Sequence, residues 1–227
     1  MATATSSVLS LFKTSIGKKQ VMGLTGLALC GFLVSHLIGN LLMFVGSDIF
    51  NAYGHALITN PLIIPAEIGL AIVFLSHIGL AVKLTLENKA ARPQAYAMKK
   101  STGHGETFAS KTMHITGLII LIFLGLHLFA FKFSSGGEHF MTTLNGEEVR
   151  DLHRTVIDYF QNPLCVAWYV FAMAAMGVHL SHGFQSAFQS LGINHPRYTP
   201  CIKKCGCAFS IIIPLGYASL AVWGYLQ

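Results

Sequence analysis

The chain has 227 residues, of which 53% are hydrophobic and 11% charged, and its mean hydropathy is +0.58. A water-soluble domain carries about a quarter charged residues, so an ordinary soluble enzyme is excluded. The formal net charge of +6 acquires meaning only when it is divided between the two ends of the apolar segments. Five cysteines without regular spacing suggest neither a disulfide framework nor a structural zinc site.

In chain order, a polar opening of 20 residues with Lys13, Lys18 and Lys19 leads into an apolar segment over 21–46, and no small-residue cleavage site follows it. A cleaved signal peptide is therefore not expected. Further apolar segments cover 62–86, 112–133, 163–190 and 206–226. Each can cross a bilayer core that needs about 20 residues, and in lipid the backbone must satisfy its own hydrogen bonds, which makes each a helix. The expected fold is an all-α membrane protein of five transmembrane helices in one domain, the first four forming a bundle. No internal repeat or low-complexity stretch stands out.

Lysine and arginine positions orient the spans. Twelve of the fifteen (Lys13, Lys18, Lys19, Lys83, Lys89, Arg92, Lys99, Lys100, Lys111, Arg197, Lys203, Lys204) fall on one side, and only Lys132, Arg150 and Arg154 on the other. The expected orientation has the N-terminus cytoplasmic and the C-terminus outside. The basic inner face suits lipid phosphates or a docked soluble partner; nothing points to nucleic acid.

Ionisable groups inside a membrane are costly and call for a partner. His36, His77 and His127 each lie 15 residues after the start of their span, and His179 lies 16 after. Successive spans run in opposite directions, so at 1.5 Å per residue His36 and His127 share an outer layer and His77 and His179 an inner one, roughly 15 Å apart. Two such pairs across a four-helix bundle are what two six-coordinate haems require. Taken singly, each histidine reads equally as a hydrogen-bonded interior residue. Proton relays usually add carboxylates at similar depth, and the span centres hold none. His182, one turn from His179, is a rival inner ligand; His55, His104, His114, His139, His153 and His195 read as loop or interfacial residues.

These residues also carry a family resemblance. Gly17-Lys18-Lys19, Thr25-Gly26-Leu27, Phe32, His36-Leu37-Ile38-Gly39-Asn40, Phe50-Asn51-Ala52-Tyr53 and above all His179-Leu180-Ser181-His182-Gly183-Phe184-Gln185-Ser186 closely resemble the single-polypeptide, two-haem cytochrome b anchor of succinate:quinone oxidoreductases and quinol:fumarate reductases. The resemblance covers essentially the whole chain. It implies an anchor subunit of the prokaryotic inner membrane, without a dicarboxylate site of its own. A flavoprotein carrying FAD and an iron–sulfur subunit would dock on the cytoplasmic face, and electrons would pass through two b haems to or from menaquinone. Carried over, the proximal ligands are His77 and His179 and the distal ligands His36 and His127. The sequence departs from the family in two places. Some members carry a glutamate two residues before the fourth-span ligand, where this chain has Gly177, and some carry a carboxylate in the first outer loop, where it reads Phe50-Asn51-Ala52-Tyr53-Gly54-His55.

A quinone site needs an apolar slot and groups that exchange protons. Glu67 is the candidate, with Asn51, Tyr53 and His55 in the same region; alternatively Glu67 simply favours the helix dipole, with Asn60 as cap and Pro61 at the first helical position. Haem propionates on the inner side have Lys18, Lys19, Gln20 and Lys83 to choose from. Cys201, Cys205 and Cys207 lack a fourth ligand at zinc spacing, and Cys30 and Cys165 read as packing residues. Gly69, Gly79, Gly117 and Gly125 are expected where a helix or a haem approaches closely. Two rivals share features with this reading: the di-haem subunit of a formate dehydrogenase or hydrogenase, which has the same histidines but another soluble partner, and a transporter or structural anchor without haem.

Overall fold

A computed structural model describes residues 14–91, 107–133 and 140–227. Lys13, Arg92, Lys99, Lys100, His104, Glu138 and His139 lie outside them. Five helices are long and apolar enough to cross a membrane: α1 (Ser15–Leu41), α3 (Ile63–Ala90), α4 (Phe108–Leu128), α6 (Pro163–Ser190) and α7 (Thr199–Tyr225). Two shorter helices, α2 (Ser47–Thr59) and α5 (Leu152–Phe160), follow α1 and precede α6.

Local chemistry accounts for the boundaries. The side chains of Thr14 and Thr107 accept from the backbone N–H of Gly17 and Ser110 at 3.1 Å, capping α1 and α4. Asn162 accepts from Leu164 N–H at 2.9 Å with Pro163 in the first helical position of α6, which satisfies orphan donors where they arise. Asn60 makes the same bond to Leu62 at 2.9 Å, but α3 starts at Ile63, so Pro61 stands just ahead of the helix. Three of the spans, α1, α4 and α7, begin earlier than hydropathy alone suggests. α1 takes in Lys18, Lys19 and Gln20, and α7 starts at Thr199, which makes the Cys201–Cys207 segment helical.

The all-α expectation fails in one place. A two-stranded antiparallel hairpin, β1 (Met141–Leu144) and β2 (Glu147–Arg150), pairs Thr142 with Val149 and Leu144 with Glu147. Its turn is Asn145-Gly146, both at positive φ (51° and 86°), the geometry that favours Asn-Gly between two strands. The hairpin leads into α5, and the face of the molecule that carries it is called here the hairpin face; the opposite one is the basic face.

Helix α1 packs on α3 and α6, α6 packs on α4, and α7 lies against α6 and α1. No extensive backbone contact joins α3 to α4, α1 to α4 or α3 to α6, so α1 and α4 are diagonal across the bundle, as are α3 and α6. On the basic face Lys18, only 5% exposed, is ion-paired with Glu87, tying the start of α1 to the end of α3. The buried core, with Leu37, Met43, Phe50, Met173, Met176 and Leu220, lies between α1, α6, α7 and the loop helices.

Candidate functional site

The diagonal arrangement brings the four span histidines together in pairs. On α1 and α4, the rings of His36 and His127 stand 6.0 Å apart between centroids and almost perpendicular, at 89°. On α3 and α6, His77 and His179 stand on the other diagonal, each against a threonine of the neighbouring span. The first pair lies toward the hairpin face and the second toward the basic face, which is the layering expected from the offsets. His182 is half-buried one turn beyond His179.

Three of the four imidazoles are held by a hydroxyl. Thr25 Oγ1 lies 3.2 Å from His77 Nδ1, Thr116 Oγ1 3.1 Å from His179 Nδ1, and the Tyr169 hydroxyl 3.0 Å from His127 Nδ1. His36 is stacked on Phe32 with centroids 5.2 Å apart, as His127 is on Phe123 at 5.6 Å. Small residues admit the inner rings. A Cβ at Gly26 would stand 3.3 Å from His77, and one at Gly117 would stand 3.5 Å from His179, whereas no atom lies within 4 Å of a Cβ built at Gly69, Gly79 or Gly125. None of the three hydroxyls is visible as functional in the sequence, because a threonine in an apolar run reads as a small helix-packing residue and a tyrosine as core.

The outer pair fits a six-coordinate haem. An iron held by two imidazole nitrogens at ~2 Å each needs ring centres about 6 Å apart once the rings' own half-widths are added, and the His36–His127 separation meets this. It is also an ordinary distance for two aromatic rings edge to face, so the pair is compatible with direct contact and with an iron between. All four histidines are half-buried by protein.

The outer polar residues are dispersed. Glu67 is ion-paired with Lys132, which lies in the π-helical turn Phe129–Phe133 after α4, so the pair bridges α3 and α4. Asn51, 1% exposed, donates from Nδ2 to Asp151 at 2.9 Å and accepts from the His153 backbone at 3.0 Å. Both ends of its amide are thus engaged in docking α2 onto α5. Tyr53 fills the space beside Gly39, where a Cβ would come within 2.6 Å of its ring, and His55 Nε2 stands 3.9 Å from Glu147 of the hairpin. Among the described residues none of these three bonds to Glu67 or Lys132.

On the basic face Lys18 is taken by Glu87, Gln20 is half-buried, and Lys19 and Lys83 are exposed. Cys201 and Cys205 are exposed on the first turns of α7 with sulfurs 4.0 Å apart, and Cys207 is exposed beside them. Comparison with protein-family models, with curated proteins and with solved structures gives no match.

Proposed function

We propose that this chain is the membrane-anchor and electron-transfer subunit of a succinate dehydrogenase/fumarate reductase, holding two bis-histidine b haems between a docked iron–sulfur subunit and menaquinone. The observation that carries the reading is the placement of four histidines on diagonal helices in two layers, with the His36 and His127 rings 6.0 Å apart and His77 and His179 held alike by Thr25 and Thr116. The motifs around them that resemble the two-haem anchors give the particular complex.

Haem b held in each layer supplies a one-electron carrier. In each layer the two histidines would hold the haem iron, one from each diagonal helix, so that neither layer would depend on a single span. The basic face, with Lys203 and Lys204 on α7 and Lys19 on α1, is the cytoplasmic one and meets the iron–sulfur subunit, while the flavoprotein beyond it carries FAD and the dicarboxylate site. On the hairpin face Glu67 and Lys132 provide a carboxylate and an ammonium near the outer layer, where quinone reduction takes up two protons and quinol oxidation releases two.

A reduced-minus-oxidised spectrum and a pyridine haemochrome assay on the purified complex test this. The expected result is two b haems per chain, with a flavoprotein and an iron–sulfur protein copurifying. Absence of haem would overturn the cytochrome reading, and a formate dehydrogenase or hydrogenase partner would overturn the choice of complex.

A further inference from the structure

The hydroxyl contacts of the two inner histidines are not independent accidents of packing. Met22, Thr25, Gly26, Phe32 and His36 recur 91 residues further on as Met113, Thr116, Gly117, Phe123 and His127. Asn60, Pro61 and His77 recur 102 residues on as Asn162, Pro163 and His179. The chain therefore contains a two-span unit twice, the second copy being 11 residues longer between its two motifs, in the stretch that carries the hairpin. The expectation of no internal repeat is corrected by this.

The copies agree in geometry as well as in letters. In each, the threonine hydroxyl turns back onto its own helix: Thr25 Oγ1 lies 2.9 Å from Val21 O and 3.0 Å from Met22 O, and Thr116 Oγ1 lies 3.1 Å from Thr112 O and 3.2 Å from Met113 O. In each it also meets Nδ1 of the histidine on the unit's other span, and in each the glycine that follows faces that same imidazole. A hydroxyl has one proton, and here it goes to the helix carbonyl, the usual back-bond of a helical threonine. The hydroxyl oxygen is then an acceptor toward the ring, so Nδ1 must carry the proton and Nε2 is left with its lone pair.

We infer that Thr25 and Thr116 are positioning residues for the inner pair, fixing His77 and His179 in the Nδ1–H tautomer that presents Nε2 to a metal. The inference rests on the two-haem reading above and adds to it the residues that set ligand orientation and basicity. Donation of Nδ1–H to oxygen raises the electron density of the ligand, which favours the ferric state, so each threonine holds the potential of the inner haem down. The repeat also bears on the competition at the inner layer. The position of His182 in the second unit is that of Leu80 in the first, whereas His179 matches His77.

The test is a redox titration with low-temperature spectra on the membrane-bound complex carrying Thr25→Val, Thr116→Val or the corresponding serine variants. Each valine variant should raise the midpoint potential of one haem, the same haem in both, or lose that haem. The other haem should titrate as in the wild type, and the serine variants should restore wild-type behaviour. Unchanged potentials and full haem content in both valine variants would overturn the inference while leaving the two-haem reading intact, as would serine variants that behave like valine ones. A wild-type protein without haem would overturn both.

Discussion

The Tyr169 hydroxyl lies 3.0 Å from Nδ1 of His127, giving the outer layer on one side the kind of partner that threonines give the inner layer on both. Tyr169 is 6% exposed and is packed edge-on against Phe123 and Phe160, so its hydroxyl has little freedom to turn elsewhere. Tyr169→Phe should shift the midpoint potential of the outer haem by removing the hydrogen-bond partner of His127 Nδ1, with the inner haem unaffected. Potentiometric titration of the membrane-bound complex measures this directly, and a shift in the inner haem instead would place His127 in the wrong layer.

Ligand pairing itself is checked by histidine removal. His36→Ala and His127→Ala should each cost the same haem, and His77→Ala and His179→Ala the other. Haem quantitation together with low-temperature difference spectra distinguishes the two sites. Two variants of one layer losing spectroscopically different haems would refute the diagonal pairing.

His179 and His182 compete for the inner layer. His179→Ala should abolish the inner haem and His182→Ala should retain it, because the Thr116 hydroxyl meets His179 and no hydrogen bond forms at the His182 ring among the described residues. The reverse outcome would reassign the ligand.

Glu67 is engaged by Lys132. Glu67→Gln keeps the size of the side chain and removes its proton exchange, so quinone-dependent turnover should slow severalfold with both haems retained. Comparing quinol oxidation with fumarate reduction driven by a viologen separates the effects. If both rates are unchanged, the pair serves only to join α3 to α4.

At Gly177 a Cβ would stand 3.0 Å from the Ser210 carbonyl oxygen and 3.6 Å from the Pro214 ring, because α6 and α7 meet backbone to backbone there. Gly177→Ala should destabilise the protein by about 1–3 kcal/mol through overpacking, read as a lower thermal midpoint of haem release. Gly177→Glu should be worse. A carboxylate side chain there would have to displace α7.

Hydropathy located all five spans, and the offsets of four histidines gave their layers, because a regular helix converts sequence spacing into depth. What stayed hidden depends on side-chain direction. Glu87, which neutralises Lys18, reads in the sequence as one acid at the end of an apolar run, and the pairing becomes visible only when α3 returns beside the start of α1. The duplication is masked by the apolar residues that fill both copies and by the 11-residue difference in loop length. Asn51 looked available for a substrate, yet the docking of α2 on α5 uses its amide. The hairpin was announced by Asn145-Gly146 between two short alternating runs, a signal easily passed over in a chain dominated by spans.

The packing of α1 on α3 and α6, and of α6 on α4, closes three sides of the four-helix bundle by backbone contact, and leaves the seam between α3 and α4 as the fourth. Among the described residues that fourth side is joined by side chains rather than by backbone packing. Glu67 and Lys132 pair across the end of that seam nearest the outer histidines. Parting α3 from α4 there separates two opposite charges, so this seam is held by an ion pair where the other three sides are held by backbone packing.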